Sequence, residues 1–200
     1  AGDGTFEEQV RYVAGESSSG IALGDVNGDG ALDLVVANYD SEDVIVLPNA
    51  GDGTFGEELR CAAGGQATAV ALGDIDGDGD VDAVVGGDDN LRLFVNEGGV
   101  FTEMDEIPVS GTSELLTPTL FDLDEDGDLD LLVGNKYGDL FYYVNDGGTF
   151  TQTENALSAM ELEDYSISAL ADVDFDGDVD LVVGERSGLV EVYENNEGNY

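Results

Sequence analysis

Short apolar runs recur along the chain, each bounded by glycine, asparagine or aspartate. One set reads Gly20-Ile-Ala-Leu23, Thr68–Leu72, Pro118–Phe121 and Ser168–Ala171. A second begins at Leu32 and runs to Ala37, with counterparts after Val81, Leu129 and Val179. A third comprises Val44–Leu47, Leu91–Val95, Leu140–Val144 and Leu189–Tyr193, and a less regular fourth includes Phe101–Val109. These runs are short and rich in valine and other β-branched or aromatic residues, which predicts strands rather than helices. Asn- and Gly-rich turns ending in phenylalanine (Asn49–Phe55, Asn96–Phe101, Asn145–Phe150) separate the third and fourth runs. No segment carries a long helical period; Glu154–Glu163 is the least regular stretch.

The connection between the first and second runs is the most repetitive part of the chain. Asp25-Val-Asn-Gly-Asp-Gly-Ala-Leu-Asp33 returns as Asp74–Asp82, Asp122–Asp130 and Asp172–Asp180, with first aspartates 49, 48 and 50 residues apart. Four strands in each period of about fifty residues match a β-propeller blade, a unit that buries both faces only by stacking on neighbours. The predicted fold is all-β: four blades of four antiparallel strands in a single domain over 1–200. The repeats run at about 16–64, 65–110, 111–158 and 159–200, the last combined with 1–15. Gly2–Phe6 matches Gly51–Phe55, and Glu197–Tyr200 matches the same turn at the other end. An outer strand at Thr5–Val13 is therefore expected to complete the last blade. The pattern equally allows two chains to form an eight-blade ring, as a homodimer.

The loop has its own chemistry. Carboxylates at positions 1, 3, 5 and 9 repel one another, and no lysine or arginine within the loop offsets them. A divalent cation would. Calcium accepts six to eight oxygen ligands in flexible geometry, whereas magnesium demands a tighter octahedron. Zinc and copper favour histidine or cysteine, and the chain has no histidine. About four calcium ions are expected, one per loop. The expected ligand sets are Asp25, Asn27, Asp29, Ala31 and Asp33; Asp74, Asp76, Asp78, Asp80 and Asp82; Asp122, Asp124, Asp126, Asp128 and Asp130; and Asp172, Asp174, Asp176, Asp178 and Asp180. Position 7 varies (Ala31, Asp80, Asp128, Asp178), which suits a backbone carbonyl ligand, and the ninth-position aspartate would close the site. Asn27 removes one charge, so the first site is expected to be the weakest. Gly30, Gly79, Gly127 and Gly177 at position 6 should take positive φ in the sharp turn. An EF-hand would need a glutamate at position 12 and a following helix; Val36, Val85, Val133 and Val183 stand there, inside strands.

The loop, its strand context and the phenylalanine turns resemble the FG-GAP (VCBS) repeat, the blade of the integrin α-subunit propeller and of many secreted microbial proteins. The resemblance covers essentially the whole chain. It implies that the aspartate loop lies between the first two strands of a blade and binds calcium. It also implies an extracellular adhesion or recognition module, lectin-like in character. A non-catalytic scaffold, or part of a carbohydrate-active enzyme such as a polysaccharide lyase, is the alternative.

Net charge is −41, and the loops hold 19 of the 46 acidic residues. Four divalent ions would still leave −33, so metal sites do not account for the acidity. Such a surface repels nucleic acid and anionic membranes, and its self-repulsion is relieved by salt. A secreted protein, or one from a salt-loving organism, fits this composition. No apolar run is long enough for a membrane span, so membrane insertion is not expected, and none reads as a signal peptide. Cys61 stands alone, so no intrachain disulfide forms, and a half-buried strand position is expected for it.

No catalytic residue is assigned, since nearly every paired carboxylate is a predicted metal ligand. The expected ligand surface is the set of loops between second and third strands, which the resemblance places opposite the metal loops. With Arg92 just beyond its loop, the surface comprises Tyr39, Arg92, Lys136, Tyr137 and Arg186. Tyrosine faces and forked guanidinium groups suit sugars and carboxylates, and carbohydrate or protein is the expected partner.

Overall fold

The computed structural model describes residues 8–110, 114–124, 126–153, 160, 162, 167–184, 186 and 188–195. Every regular element among them is a β-strand. Blade 1 contains β1 (Ser18–Gly24), β2 (Asp33–Asn38), β3 (Asp43–Leu47) and β4 (Leu59–Ala62); blade 2 contains β5 (Ala67–Gly73), β6 (Asp82–Gly87), β7 (Leu91–Glu97) and β8 (Val100–Ile107). Blade 3 contains β9 (Thr117–Phe121), β10 (Asp130–Gly134), β11 (Leu140–Asp146) and β12 (Thr149–Thr153); blade 4 contains β13 (Ile167–Ala171), β14 (Asp180–Gly184) and β15 (Val190–Tyr193). Each sheet is an antiparallel meander in chain order, and the four are arranged as a four-blade β-propeller.

Antiparallel pairing puts alternate residues of each strand on opposite faces, and apolar residues on both faces let consecutive blades bury one another's facing sides. Val26, Val35, Val44 and Val46 of blade 1 pack with Ala83, Val85 and Phe94 of blade 2. Ile75, Val84, Leu91 and Leu93 of blade 2 pack with Leu131, Val133 and Tyr143 of blade 3. Leu132, Leu140 and Tyr142 of blade 3 pack with Leu181 and Val183 of blade 4. Each core thus lies between consecutive blades. Tyr143 is fully buried; its hydroxyl donates to the Pro108 carbonyl at 2.9 Å, and burial pushes its pKa up to about 12. The innermost strands approach closely: a Cβ at Gly20 would stand 2.8 Å from the Ala69 Cα. No helix of the described residues is long and apolar enough to cross a membrane.

The outer strand expected at Thr5–Val13 differs from the structure. Residues 5–7 lie outside the described residues, and residues 8–13 form no strand. The Tyr12 ring instead meets Phe55 edge-on, with centroids 5.2 Å apart at 84°, and its hydroxyl accepts the Phe55 N–H at 3.4 Å. These contacts hold the segment against blade 1, while blade 4 shows three strands among the described residues. Most of Glu154–Glu163 also lies outside the described residues. Cys61 sits in β4, half-buried as expected, and burial pushes its thiol pKa up.

Candidate metal centres

Each aspartate loop joins the first strand of its blade to the second, as the repeat pattern requires. Position 6 has positive φ throughout: +89° at Gly30, +97° at Gly79, +103° at Gly127 and +105° at Gly177. The loop is wound by its own carboxylates. Asp74 accepts the N–H groups of Gly77 at 2.9 Å and Gly79 at 3.0 Å, and Asp78 accepts that of Asp80 at 2.8 Å. Asp25, Asp122 and Asp172 each accept the position-6 N–H in the same way, at 2.8, 3.1 and 3.2 Å. These turns draw the acidic side chains inward against their mutual repulsion. Carboxylate oxygens of Asp74, Asp76 and Asp78 lie within 4.8 Å of one another, as do those of Asp122, Asp124 and Asp126, and those of Asp172, Asp174 and Asp180. Three converging hard oxygens fit a divalent cation that prefers oxygen ligands, and calcium matches that donor set. In the first loop Asn27 takes the third position, and no such trio of carboxylates forms there among the described residues.

The ninth-position aspartates have a second role. Asp33, Asp82, Asp130 and Asp180 are all buried. In each, one oxygen accepts the N–H of the loop's second residue and the other accepts the N–H of an asparagine at the end of the third strand (Asn96, Asn145) or just beyond it (Asn49, Asn195). For Asp82 these donors are Ile75 and Asn96, both at 2.8 Å; for Asp180 they are Val173 and Asn195, both at 2.8 Å. Asp130 accepts from Leu123, Asn145 and the Tyr142 hydroxyl, the last at 2.6 Å. The aspartate therefore ties the loop to the far end of the sheet, leaving only its remaining lone pairs for a metal. Burial raises the Asp82 pKa, against two backbone hydrogen bonds that lower it; in the end blade, the Asn195 and Val173 N–H groups hold Asp180 down. At position 7 the Asp80 and Asp128 side chains accept the N–H groups of Gly98 at 2.6 Å and Gly147 at 3.0 Å, within their own blades.

The asparagines of this tie had not been singled out from sequence. The Asn96 amide donates to the Val26 carbonyl of blade 1 at 2.8 Å and to Val81 at 3.0 Å. Asn145 repeats this toward Ile75 and Leu129, at 2.8 and 3.0 Å. Each thereby hydrogen-bonds the second residue of the preceding blade's metal loop. Their recurrence at Asn49, Asn96, Asn145 and Asn195, near the repeat period, was the available signal.

The proposed ligand surface is only partly assembled. Tyr39 donates to Asp88 of the next blade at 2.8 Å, and its pKa is raised by that bond and by further acids including Glu114. Lys136 pairs with Glu114, its ammonium lies 5.5 Å from the centroid of the Tyr137 ring, and the Tyr137 hydroxyl donates to Glu114 at 2.8 Å. Tyr39, Lys136 and Tyr137 thus share one acidic neighbourhood. Arg92 does not join them: it is clamped by Glu103 and by Glu106 at 2.8 Å on β8. Arg186 is exposed. Asp88 and Glu114, unremarked in the sequence, organise this face.

A solved structure of an Agrocybe aegerita lectin, described as specifically recognising non-reducing terminal N-acetylglucosamine, is similar in fold, with a TM-score of 0.62 and 24% identity. The similarity covers 88% of this chain and 48% of the lectin, so the chain spans about half the lectin's length. No curated protein matches the chain. A family model described as the FG-GAP-like repeat matches residues 25–85, 74–133 and 122–183, each match running from one aspartate loop through the next. With the loops, blades and repeat period all in agreement, the chain belongs to the FG-GAP-like repeat family.

Proposed function

We propose that this protein is a calcium-binding extracellular recognition module whose ligand is carbohydrate. The observation that carries the metal part is the convergence of three carboxylates in each of three loops, with no cation inside any loop. Asp74, Asp76 and Asp78, their counterparts in the third loop, and Asp172, Asp174 and Asp180 would hold the ions; bound calcium would neutralise their repulsion and stiffen the loop beneath each blade. All-oxygen sites on such loops suit the millimolar calcium found outside cells. Likeness to a lectin supports a sugar as ligand at the level of fold. The face bearing Tyr39, Lys136 and Tyr137 supplies aromatic surface and acceptors of the kind sugar hydroxyls use.

The role is non-catalytic. In the lyase alternative Tyr137 or Lys136 would act as base, yet both are engaged with Glu114, an arrangement that suits structure better than proton abstraction. That same engagement favours a pure scaffold as the second reading. Removing calcium with a chelator at constant ionic strength is expected to lower the melting temperature; at a hundredfold excess over Kd each site contributes about 2.7 kcal/mol. An unchanged melt would remove the metal assignment. Binding of the calcium-loaded protein to a glycan array decides the rest: hits lost on Tyr39→Ala or Tyr137→Ala support recognition, and a silent array supports the scaffold.

A further inference from the structure

Blades 1 and 4 each present one apolar face that no other blade covers among the described residues. In blade 1 the residues at issue are Ile21, Leu23 and Leu32, of which Ile21 is 68% exposed. Their counterparts one repeat later, Val70, Leu72 and Val81, pack into the core between blades 1 and 2. In blade 4 the open face carries Val173, Val190 and Val192, the last 52% exposed. Strand register makes these the counterparts of Val26, Val44 and Val46, which blade 1 buries against blade 2. Blade 4 therefore offers the same valines that an established interface of this fold buries, and blade 1 offers the matching receiving surface.

Two further features are half-complete in the same places. The Asn49 amide donates to Leu32 at 3.0 Å within its own blade, whereas Asn96 and Asn145 each also reach the loop of the preceding blade. The second sheet edge is β15, which pairs with β14 alone among the described residues. Residues 10–13, counterparts of Leu59–Ala62 in β4, lie unpaired over blade 1: Tyr12 lines a groove of about 410 Å³ with Leu34, Val36 and Leu47, as Cys61 lines the gap against Ala83, Val85 and Phe94.

We propose that two copies of this chain join head to tail, the valine face of blade 4 in each covering the open face of blade 1 in the other, to make an eight-blade ring. Residues 10–13 of one copy then add to β15 of the other as its fourth strand. By the register of β3 on β4, Tyr12 stands opposite Val190 and Arg11 opposite Glu191, a pair of opposite charge. Asn49 reaches the Val173 carbonyl of the second copy, as Asn96 reaches Val26.

Light scattering in about 1 M salt with calcium, where screening acts within roughly 3 Å, limits repulsion between chains of charge −41. The expected mass is twice 20.9 kDa, falling to 20.9 kDa for both Ile21→Asp and Val192→Asp, with the strand signal in circular dichroism retained. Monomeric wild type at all concentrations overturns the proposal, and so does a dimer lost in only one of the two variants, since that interface would use one face twice. Oxidising Tyr12→Cys/Val190→Cys in a Cys61→Ser background should give a covalent dimer on a non-reducing gel. A crosslinked monomer would mean that the chain closes on itself and would also overturn it.

Discussion

The asparagine tie between blades makes a quantitative claim about Asn96. Its side chain is buried, donates to Val26 and Val81, and accepts the Gly99 N–H at 2.9 Å. Replacing it with alanine removes three hydrogen bonds, each worth about 1 kcal/mol net, and strands the Val26 carbonyl in a dry interface. The expected loss is about 3 kcal/mol, or roughly 6–12 °C in melting temperature for a chain of this length. Asn49 is the internal control: it donates to Leu32 and accepts the N–H groups of Gly51 and Gly53 within its blade, all solvent-exposed bonds, and reaches no preceding loop among the described residues. Asn49→Ala should cost only about 1–2 kcal/mol. Both substitutions are best made on the Val192→Asp background, so that association contributes nothing, and compared by urea titration with far-UV circular dichroism. If the two losses agree within about 0.5 kcal/mol, the bond between blades adds no stability and the reasoning fails.

Other expectations follow from single positions. Asp82→Ala should destabilise by several kcal/mol, since it leaves the buried N–H groups of Ile75 and Asn96 unpaired, while Glu97→Ala at an exposed strand end should stay within about 0.5 kcal/mol; equal urea midpoints would contradict the tie. Phe175 occupies position 4 of its loop at φ +65° and is 90% exposed, so Phe175→Gly should raise stability by about 0.5–1 kcal/mol by relieving left-handed strain; a lower melting temperature would show that the ring has a partner. The hydrogen bonds from Lys136 and Tyr137 hold the Glu114 carboxyl below its ordinary value of 4.5. Its contribution to stability is therefore present above that value and fades as pH falls through the depressed pKa. Carboxyl NMR titration should show the pKa rising in Lys136→Ala, and an unmoved titration would exclude the pair. Cys61 should react slowly with thiol reagents at pH 8 until the chain unfolds, because burial keeps it protonated; fast labelling of the native protein would contradict this.

Much of the architecture was legible in the chain because each repeat states its structure locally. Period-two apolar runs specify strands, the position-6 glycines specify where the loop reverses, and the common offset specifies stacking. The first strands and the metal loops lie where the pattern puts them, and the third strands need only a residue or two of adjustment at their ends. The N-terminal strand was misplaced because its match to Gly51–Phe55 says which strand it resembles, not which edge it can reach; Tyr12 on Phe55 determines that through contacts 43 residues apart. The ligand face was harder still. A lone lysine or arginine reads as an available cation in sequence, whereas packing gave Arg92 to Glu103 and Glu106 and gave Lys136 to Glu114.

The amino-acid sequence by itself determined the repeat, the strands and the acidic loops, since these depend on residue spacing and local turn chemistry within one blade. Only the tertiary structure decided that the ninth aspartates are ties as well as candidate ligands, that asparagines bridge consecutive blades, and that the valines of blade 4 and the leucines of blade 1 are uncovered among the described residues. The aspartate tie depends on how one blade folds its loop against its third strand, and the other two features depend on which surfaces meet across fifty residues or more, which spacing within a repeat does not specify.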